Sequence, residues 1–218
     1  MLQPMDKVST DYLRWYYDTS VWKRQSYRGV RTLKLPLDMW NYQEIIFEHD
    51  LHWVLETGTL HGGSALFFAD LLLASGRDGC VASVDVSHHV LHPLVSSHPK
   101  IRLLLGDSTA PETIAAIRQL IPSDRLRGLL LILDSDHAAS HVLGELNLLV
   151  PLLRQGDYLV VEDTIVNGHP VRPDFGPGPL EAVDTYLRQN PGRLIPDDSR
   201  EAKFGCTCAY RGYYRIGA

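Results

Sequence analysis

Four carboxylates and two histidines fall at the ends of two apolar runs. LILDSDHAASH carries Asp134, Asp136, His137 and His141, and LVVEDT carries Glu162 and Asp163. Runs this apolar read as strands buried on both faces, and adjacent parallel strands would set the two acidic ends side by side. So many like charges raise one another's pKa and repel unless something offsets them. A divalent cation does so. Oxygen-only ligands favour a hard ion such as Mg²⁺, which keeps several waters or substrate oxygens, over an iron site of His137, His141 and one carboxylate. A hydroxyl brought to such an ion becomes more acidic, and His137, an imidazole titrating near neutrality, is the candidate catalytic base. A surface histidine at a helix N-terminus would read the same way. The predicted metal set is therefore Asp134, Asp136, Glu162 and Asp163.

A second constellation lies upstream, in VLETGTLHGGS. Here a strand ends in Glu56-Thr57-Gly58 and a helix starts at Gly63-Ser64, with Gly58 able to let backbone pass near a ligand and Gly62 and Gly63 giving a tight start to the helix. A plain βα connection accounts for the same glycines. Asp85, ending SVDV, can accept from both ribose hydroxyls of a nucleoside, and Asp107 in LLLGDST can accept from an adenine amino group. Helix capping and turn formation are the ordinary alternatives for both. A dinucleotide would need its diphosphate cradled by G-x-G-x-x-G, yet Leu60 stands where the middle glycine belongs and Glu56 would bring negative charge to it. S-adenosylmethionine carries an amino group and a sulfonium instead, so an acidic strand end suits it.

The elements that must position these groups alternate along the chain. Strands are expected over His52–Glu56, Val81–Val86, Ile101–Leu105, Leu129–Leu133 and Tyr158–Val161, with helices over Ser64–Ala74, Pro111–Leu120, Ala138–Leu153 and Leu180–Gln189. Strand–helix alternation of this kind gives a mostly parallel sheet with helices on both faces. Lys203–Ile216 is β-rich without an intervening helix, with Gly212 as a bulge or kink, and an antiparallel C-terminal strand pair suits methyltransferases better than dinucleotide domains. The fold class is thus α/β, a Rossmann-like class I methyltransferase sheet. Residues 51–218 form this S-adenosylmethionine-binding catalytic domain. The aromatic-rich first fifty residues, with Trp15, Tyr16, Tyr17, Trp22, Tyr27, Trp40 and Tyr42, form an extension that either docks as helices or acts as a lid excluding water. The loop NGHPVRPDFGPGP either covers substrate through His169, Arg172 and Asp174 or merely connects. His88, His89, His92 and His98 are expected to be solvated.

A chain of 218 residues fits one such domain, and a net charge of −5 gives no electrostatic footprint for nucleic acid or an anionic membrane. No apolar run is long enough to span a bilayer, and the N-terminal stretch lacks the core of a signal peptide. Three cysteines are an odd set, and Cys206 and Cys208 should point to opposite faces of a strand, so a disulfide framework is not expected and a reducing cytoplasm fits. The expected partner is a small-molecule hydroxyl acceptor, with homo-oligomerisation open.

Taken together, YQEII, VLETGTLHGGSALFFA, LDSDHAASHVLGEL and YLVVEDT with the GPGP segment resemble the cephalosporin hydroxylase family, from Lys34 to about Leu187. Despite its name, that family groups with metal-dependent O-methyltransferases acting on macrolide sugars, rhamnosyl groups and related natural products. The resemblance implies donor contacts from Glu56, Thr57, Gly58, Gly63, Ser64, Asp85, Asp107, Ser108 and Asp134. It implies Asp134, Glu162 and Asp163 as Mg²⁺ ligands, with Asp136 replacing Asp134 if the alignment shifts by two, and His137 as base. The chain is shorter than macrolide-sugar methyltransferases, which have a larger N-terminal part. The function expected is S-adenosylmethionine- and Mg²⁺-dependent O-methylation of a sugar or other small metabolite. An antibiotic-tailoring protein of the hydroxylase type and a non-catalytic binding module that keeps the fold are the alternatives.

Overall fold

The computed structural model describes residues 6–217. Helix α1 (Lys7–Asp18) is capped by Asp6, whose carboxylate accepts the Ser9 N–H at 2.8 Å. A 3₁₀ turn over Val21–Arg24 leads into a two-residue hairpin, β1 (Ser26–Tyr27) and β2 (Val30–Arg31), followed by α2 (Pro36–Glu48). The alternating part then runs β3 (Leu51–Thr57), α3 (Gly63–Ala74), β4 (Val81–Asp85), α4 (Pro93–Ser96), β5 (Ile101–Leu105), α5 (Pro111–Leu120), β6 (Gly128–Leu133), α6 (Ala139–Leu149) and β7 (Tyr158–Val161). It closes with α7 (Pro179–Gln189), β8 (Leu194–Pro196), α8 (Asp198–Ala202) and β9 (Tyr213–Ile216). Proline opens α2, α5 and α7, where its missing N–H costs nothing.

The seven-stranded sheet has the order β5-β4-β3-β6-β7-β9-β8. Strands β3 to β7 are parallel, β9 is antiparallel to β7, and β8 is antiparallel to β9. Period-2 alternation divides each strand between two cores. Leu129, Leu131 and Leu133 face α5, α6 and α7, through Ile117, Leu146 and Val183. Leu130 and Ile132 face α2 and α3, through Ile45, Ile46, Phe68 and Leu72. The chain leaves β3 toward β4 on one side and meets β6 on the other, so a crevice opens at the carboxyl ends of β3 and β6. Over that edge lies a third apolar cluster, in which Leu13 and Tyr16 of α1 pack with Leu35, Ile165, Val166 and Val171.

The fold class is as the sequence indicated, with four local corrections. The antiparallel pair does not lie within 203–216: β9 pairs instead with Leu194–Pro196, and α8 stands between them. A three-residue edge strand ending in proline carries almost no alternation to read. Cys206 and Cys208 lie in the loop before β9, both buried in the cluster under α1, and all three cysteines are free. His98 is half-buried rather than solvated, its Nε2 lying 3.2 Å from Asp70. Gly212 does sit at a tight turn, where a Cβ would come within 2.3 Å of the Val161 carbonyl. Helix α6 stops at Leu149 and tightens into a 3₁₀ turn at Val150–Leu152. No helix of the described residues is long and apolar enough to cross a membrane.

Asp38 fastens α2 to the C-terminal loop. Fully buried, it accepts from Thr207 Oγ1 (2.6 Å), the Cys208 N–H (2.8 Å) and the Tyr213 hydroxyl (2.8 Å). Burial pushes its pKa up to about 6 against those hydrogen bonds and the nearby Lys34 charge. Asp38→Ala strands these buried donors and should lower the unfolding free energy by about 3 kcal/mol in urea denaturation. Glu181 holds the 167–179 loop: its carboxylate accepts from Asn167 (2.9 Å) and the Gly178 N–H (2.7 Å) and pairs with His169 (2.9 Å). Partial burial works against its charge, but these partners outweigh it and hold the pKa down to about 2, below the ordinary 4.5. Its stabilisation is therefore present above pH 4.5 and lost as pH falls through about 2. Glu181→Gln should flatten thermal stability across that window and leave the curve above pH 5 unchanged in slope.

Candidate functional site

The crevice is a cleft of about 610 Å³, within the range of small-molecule sites. Its floor is the β3–α3 turn. Gly58 has φ +90, and a Cβ there would come within 1.9 Å of the Asp134 carbonyl oxygen, so glycine is what lets the β3 turn lie against the end of β6. At Gly63 a Cβ would meet Thr32 Oγ1 at 2.0 Å and the Arg31 carbonyl at 2.4 Å, because the arm before α2 crosses there. These glycines are thus required by neighbouring protein, a cause that a glycine pattern alone does not reveal. Leu60 takes a left-handed φ of +46 at the crest, and its N–H donates to Asp85 Oδ2 at 2.8 Å. Strain of this kind is characteristic of functional turns.

The carboxylates along the edge differ in setting. Glu56 lies beneath the turn, 1% exposed, accepting from Ser83 Oγ at 2.7 Å, and Thr57 is buried beside it. Burial drives the Glu56 pKa up to about 7, opposed by the Lys34 charge and by hydrogen bonds from Ser83 and Ser64. Asp85 faces the cleft, with its oxygens on the Leu60 and Ser87 N–H groups. Asp107 Oδ1 accepts the N–H and hydroxyl of Thr109, and among the described residues Oδ2 has no hydrogen-bond partner. Ser108 donates to Glu145 at 2.6 Å, with His141 Nε2 3.0 Å from its hydroxyl.

Asp134, His137 and Asp163 converge. One ligand atom from each lies within 4.8 Å of the others, and His137 Nε2 stands 3.4 Å from Asp134 Oδ1 and 3.3 Å from Asp163 Oδ2. Asp163 reaches this point through a left-handed φ of +52 just past β7, which aspartate tolerates better than most residues. Burial disfavours the charged imidazole, but Asp163 and Asp134 outweigh it and raise the His137 pKa to about 9. Burial also raises Asp163, against His137, whereas Lys34 and His137 overcome burial and hold Asp134 below the ordinary range.

Two of the expected metal ligands sit apart from this group. Asp136 is exposed and turned to the helix start, where Oδ1 accepts the Ala138 N–H at 2.8 Å, because a two-residue step past β6 carries it round to the first turn of α6. Glu162 is adjacent but faces inward: it takes the Tyr42 hydroxyl and lies 2.9 Å from Lys34 Nζ. Burial raises its pKa to about 7, Lys34 opposing and the neighbouring carboxylates adding to the rise. Lys34 was not singled out from the sequence as a site residue. Its only signal there is a lysine between Leu33 and Leu35, in a stretch with no periodicity. On the other wall Tyr16, Tyr17 and Trp22 line the cleft, together with Arg172, whose guanidinium lies 5.3 Å from the Phe175 ring centre. Asp174 is exposed and not among the lining residues, and His169 is held by Glu181.

The pattern of the family described as rhamnosyl O-methyltransferase/CmcI matches residues 19–216. A rhamnosyl O-methyltransferase of Mycobacterium leprae is 46% identical over 97% of this chain and 91% of its own length. One from Mycobacterium tuberculosis is 44% identical over 97% of this chain and 86% of its own. A CmcI structure with Mg and SAM superposes with a TM-score of 0.71 at 25% identity, over 90% of this chain and 78% of that one. The MycE methyltransferase of the mycinamycin pathway, with Mg, SAH and mycinamycin VI, shares the fold at a TM-score of 0.55 and 19% identity, over 81% of this chain and 48% of that one. The chain, with its β3 turn and its Asp134–His137–Asp163 group, belongs to the rhamnosyl O-methyltransferase/CmcI family.

Proposed function

We propose that this chain transfers a methyl group from S-adenosylmethionine to a sugar hydroxyl in a Mg²⁺-dependent reaction. The observation that carries it is the Asp134–His137–Asp163 group opening into the same cleft as the acid-flanked β3 turn. Relatives named rhamnosyl O-methyltransferases, at 44–46% identity, support the sugar acceptor, and the CmcI complex supports the two cofactors.

The donor set fits a hard divalent ion: two carboxylate oxygens facing open space leave positions for water and substrate, with the His137 imidazole beside them left to act as a base. In this reading Asp134 and Asp163 hold the ion, and Glu162 stands beside them. When bound there, Mg²⁺ supplies Lewis-acid polarisation of the acceptor hydroxyl and offsets the carboxylate charge that now raises the His137 pKa. S-adenosylmethionine supplies an electrophilic methyl on sulfonium. Asp85 offers lone pairs to the ribose hydroxyls, and Asp107 Oδ2 with Ser108 accepts and orients the adenine edge. Gly58, Gly63 and Ser64 shape the turn over which the donor lies, and Glu56 and Thr57 support it from below with a negative environment for the cationic donor. His137 takes the hydroxyl proton at Nε2 as the oxygen attacks the methyl in line. Tyr16, Tyr17 and Trp22 wall the acceptor side and exclude water, so the stretch from Tyr16 to Leu35 acts as a lid that is already docked, while α2 packs in the core.

His137→Ala should lower turnover by about 10²–10⁴-fold, while calorimetry finds the affinity for S-adenosylmethionine within about threefold of the parent. Unchanged turnover would remove His137 from the mechanism. Exhaustive chelation should abolish methyl transfer and added Mg²⁺ restore it; activity that survives chelation rules out the metal. Absence of any heat with S-adenosylmethionine would leave only a non-catalytic module.

A further inference from the structure

Lys34 has no part in the scheme above, yet it is a nearly fully buried cation at the site. Its side chain is 3% exposed, and Nζ lies 2.6 Å from Asp134 Oδ2 and 2.9 Å from Glu162 Oε1. The backbone that delivers it is pinned on both sides. Thr32 abuts Gly63, Leu35 is buried at the start of α2, and the Tyr16 hydroxyl donates to the Lys34 carbonyl at 3.4 Å. Two cations therefore divide the carboxylate oxygens between them. Lys34 holds Asp134 Oδ2 and Glu162 Oε1 from behind, and His137 faces Asp134 Oδ1 and Asp163 Oδ2 from the cleft.

We infer that Lys34 is a positioning residue that selects a small octahedral ion by keeping Asp134 and Glu162 from chelating through both oxygens. The inference rests on the metal reading of this site. Mg²⁺ takes single oxygens at short, near-ideal octahedral positions and keeps waters, whereas Ca²⁺ gathers six to eight oxygens and accepts bidentate carboxylates. With Oδ2 of Asp134 committed to an ammonium, that carboxylate offers one oxygen forward. Glu162, tied to both Lys34 and Tyr42, cannot swing out to complete a larger shell. Lys34 also removes one unit of negative charge from the pocket. Loss of the ammonium frees Asp134 Oδ2 and leaves Glu162 Oε1 held by Tyr42 alone, and the freed oxygen favours the larger ion, which accepts bidentate carboxylates, over the smaller.

Calorimetric titration of the full chain with MgCl₂ and, separately, CaCl₂ tests this without turnover. Lys34→Met keeps the apolar stem and drops the charge, and should raise the Ca²⁺-to-Mg²⁺ affinity ratio by about tenfold or more. Lys34→Arg, which keeps a charged donor, should stay within about threefold of the parent ratio. Lys34→Gln should shift the ratio in the same direction as Met, and carries the test if the Met variant does not fold. An unchanged ratio in the neutral variants, or equal weakening of both ions, overturns the role of Lys34. Absence of heat with either ion in the parent protein overturns the metal reading itself.

Discussion

Mutual repulsion among carboxylates governs the open edge of this sheet. Asp134, Glu162 and Asp163 end two adjacent parallel strands, with Glu56 one strand away. Two unit charges 4 Å apart repel by about 4 kcal/mol at an effective dielectric near 20, so such an edge does not hold together without positive charge built in. Lys34 and His137 provide it from opposite sides, and burial lets Glu56 and Glu162 hold their protons to near neutrality. What is left exposed is a pair of oxygens, one each from Asp134 and Asp163, under an imidazole. That arrangement suits a hard cation because the fold has already arranged for one.

The rest of the structure can be understood as the means of delivering those two cations. His137 rides at the start of α6, three residues past Asp134, so its position follows from the end of β6. Lys34 comes from the arm ahead of α2, and its delivery needs more. Gly63 must lack a side chain for the arm to cross, Asp38 must hold α2 against the C-terminal loop, and α1 must cover the arm through Tyr16. The apolar layer under α1 is thus part of the site's construction as well as its roof.

Strands buried on both faces write themselves plainly into a sequence, and Tyr158–Val161 has the bounds its apolar run suggests; the edge strand Ile101–Leu105 does too, although only Ile101 is buried. The carboxylates at their ends were legible for the same reason, since a charged residue closing an apolar run must face the sheet edge. Three things were not. Asp136 shares the motif with Asp134 and lines the same cleft, but spacing does not say which of the two stands with His137 and Asp163. The edge strand Leu194–Pro196 is too short for alternation to register. Lys34 meets Asp134 across 100 residues of chain, and no local pattern encodes a contact that depends on the whole fold.

That separation also bears on the order in which the site comes into being. Lys34 is synthesised well before the strands that will receive it, flanked by leucines and without an anion of its own. Loop closure over such a span is entropically costly and is repaid only after the sheet edge has formed. The ammonium therefore reaches its partners only once the ends of β6 and β7 are in place, onto an edge whose charges are already gathered. Until it docks, those carboxylates face solvent and are free to recruit any cation at hand, so an incompletely folded chain should be the less selective binder.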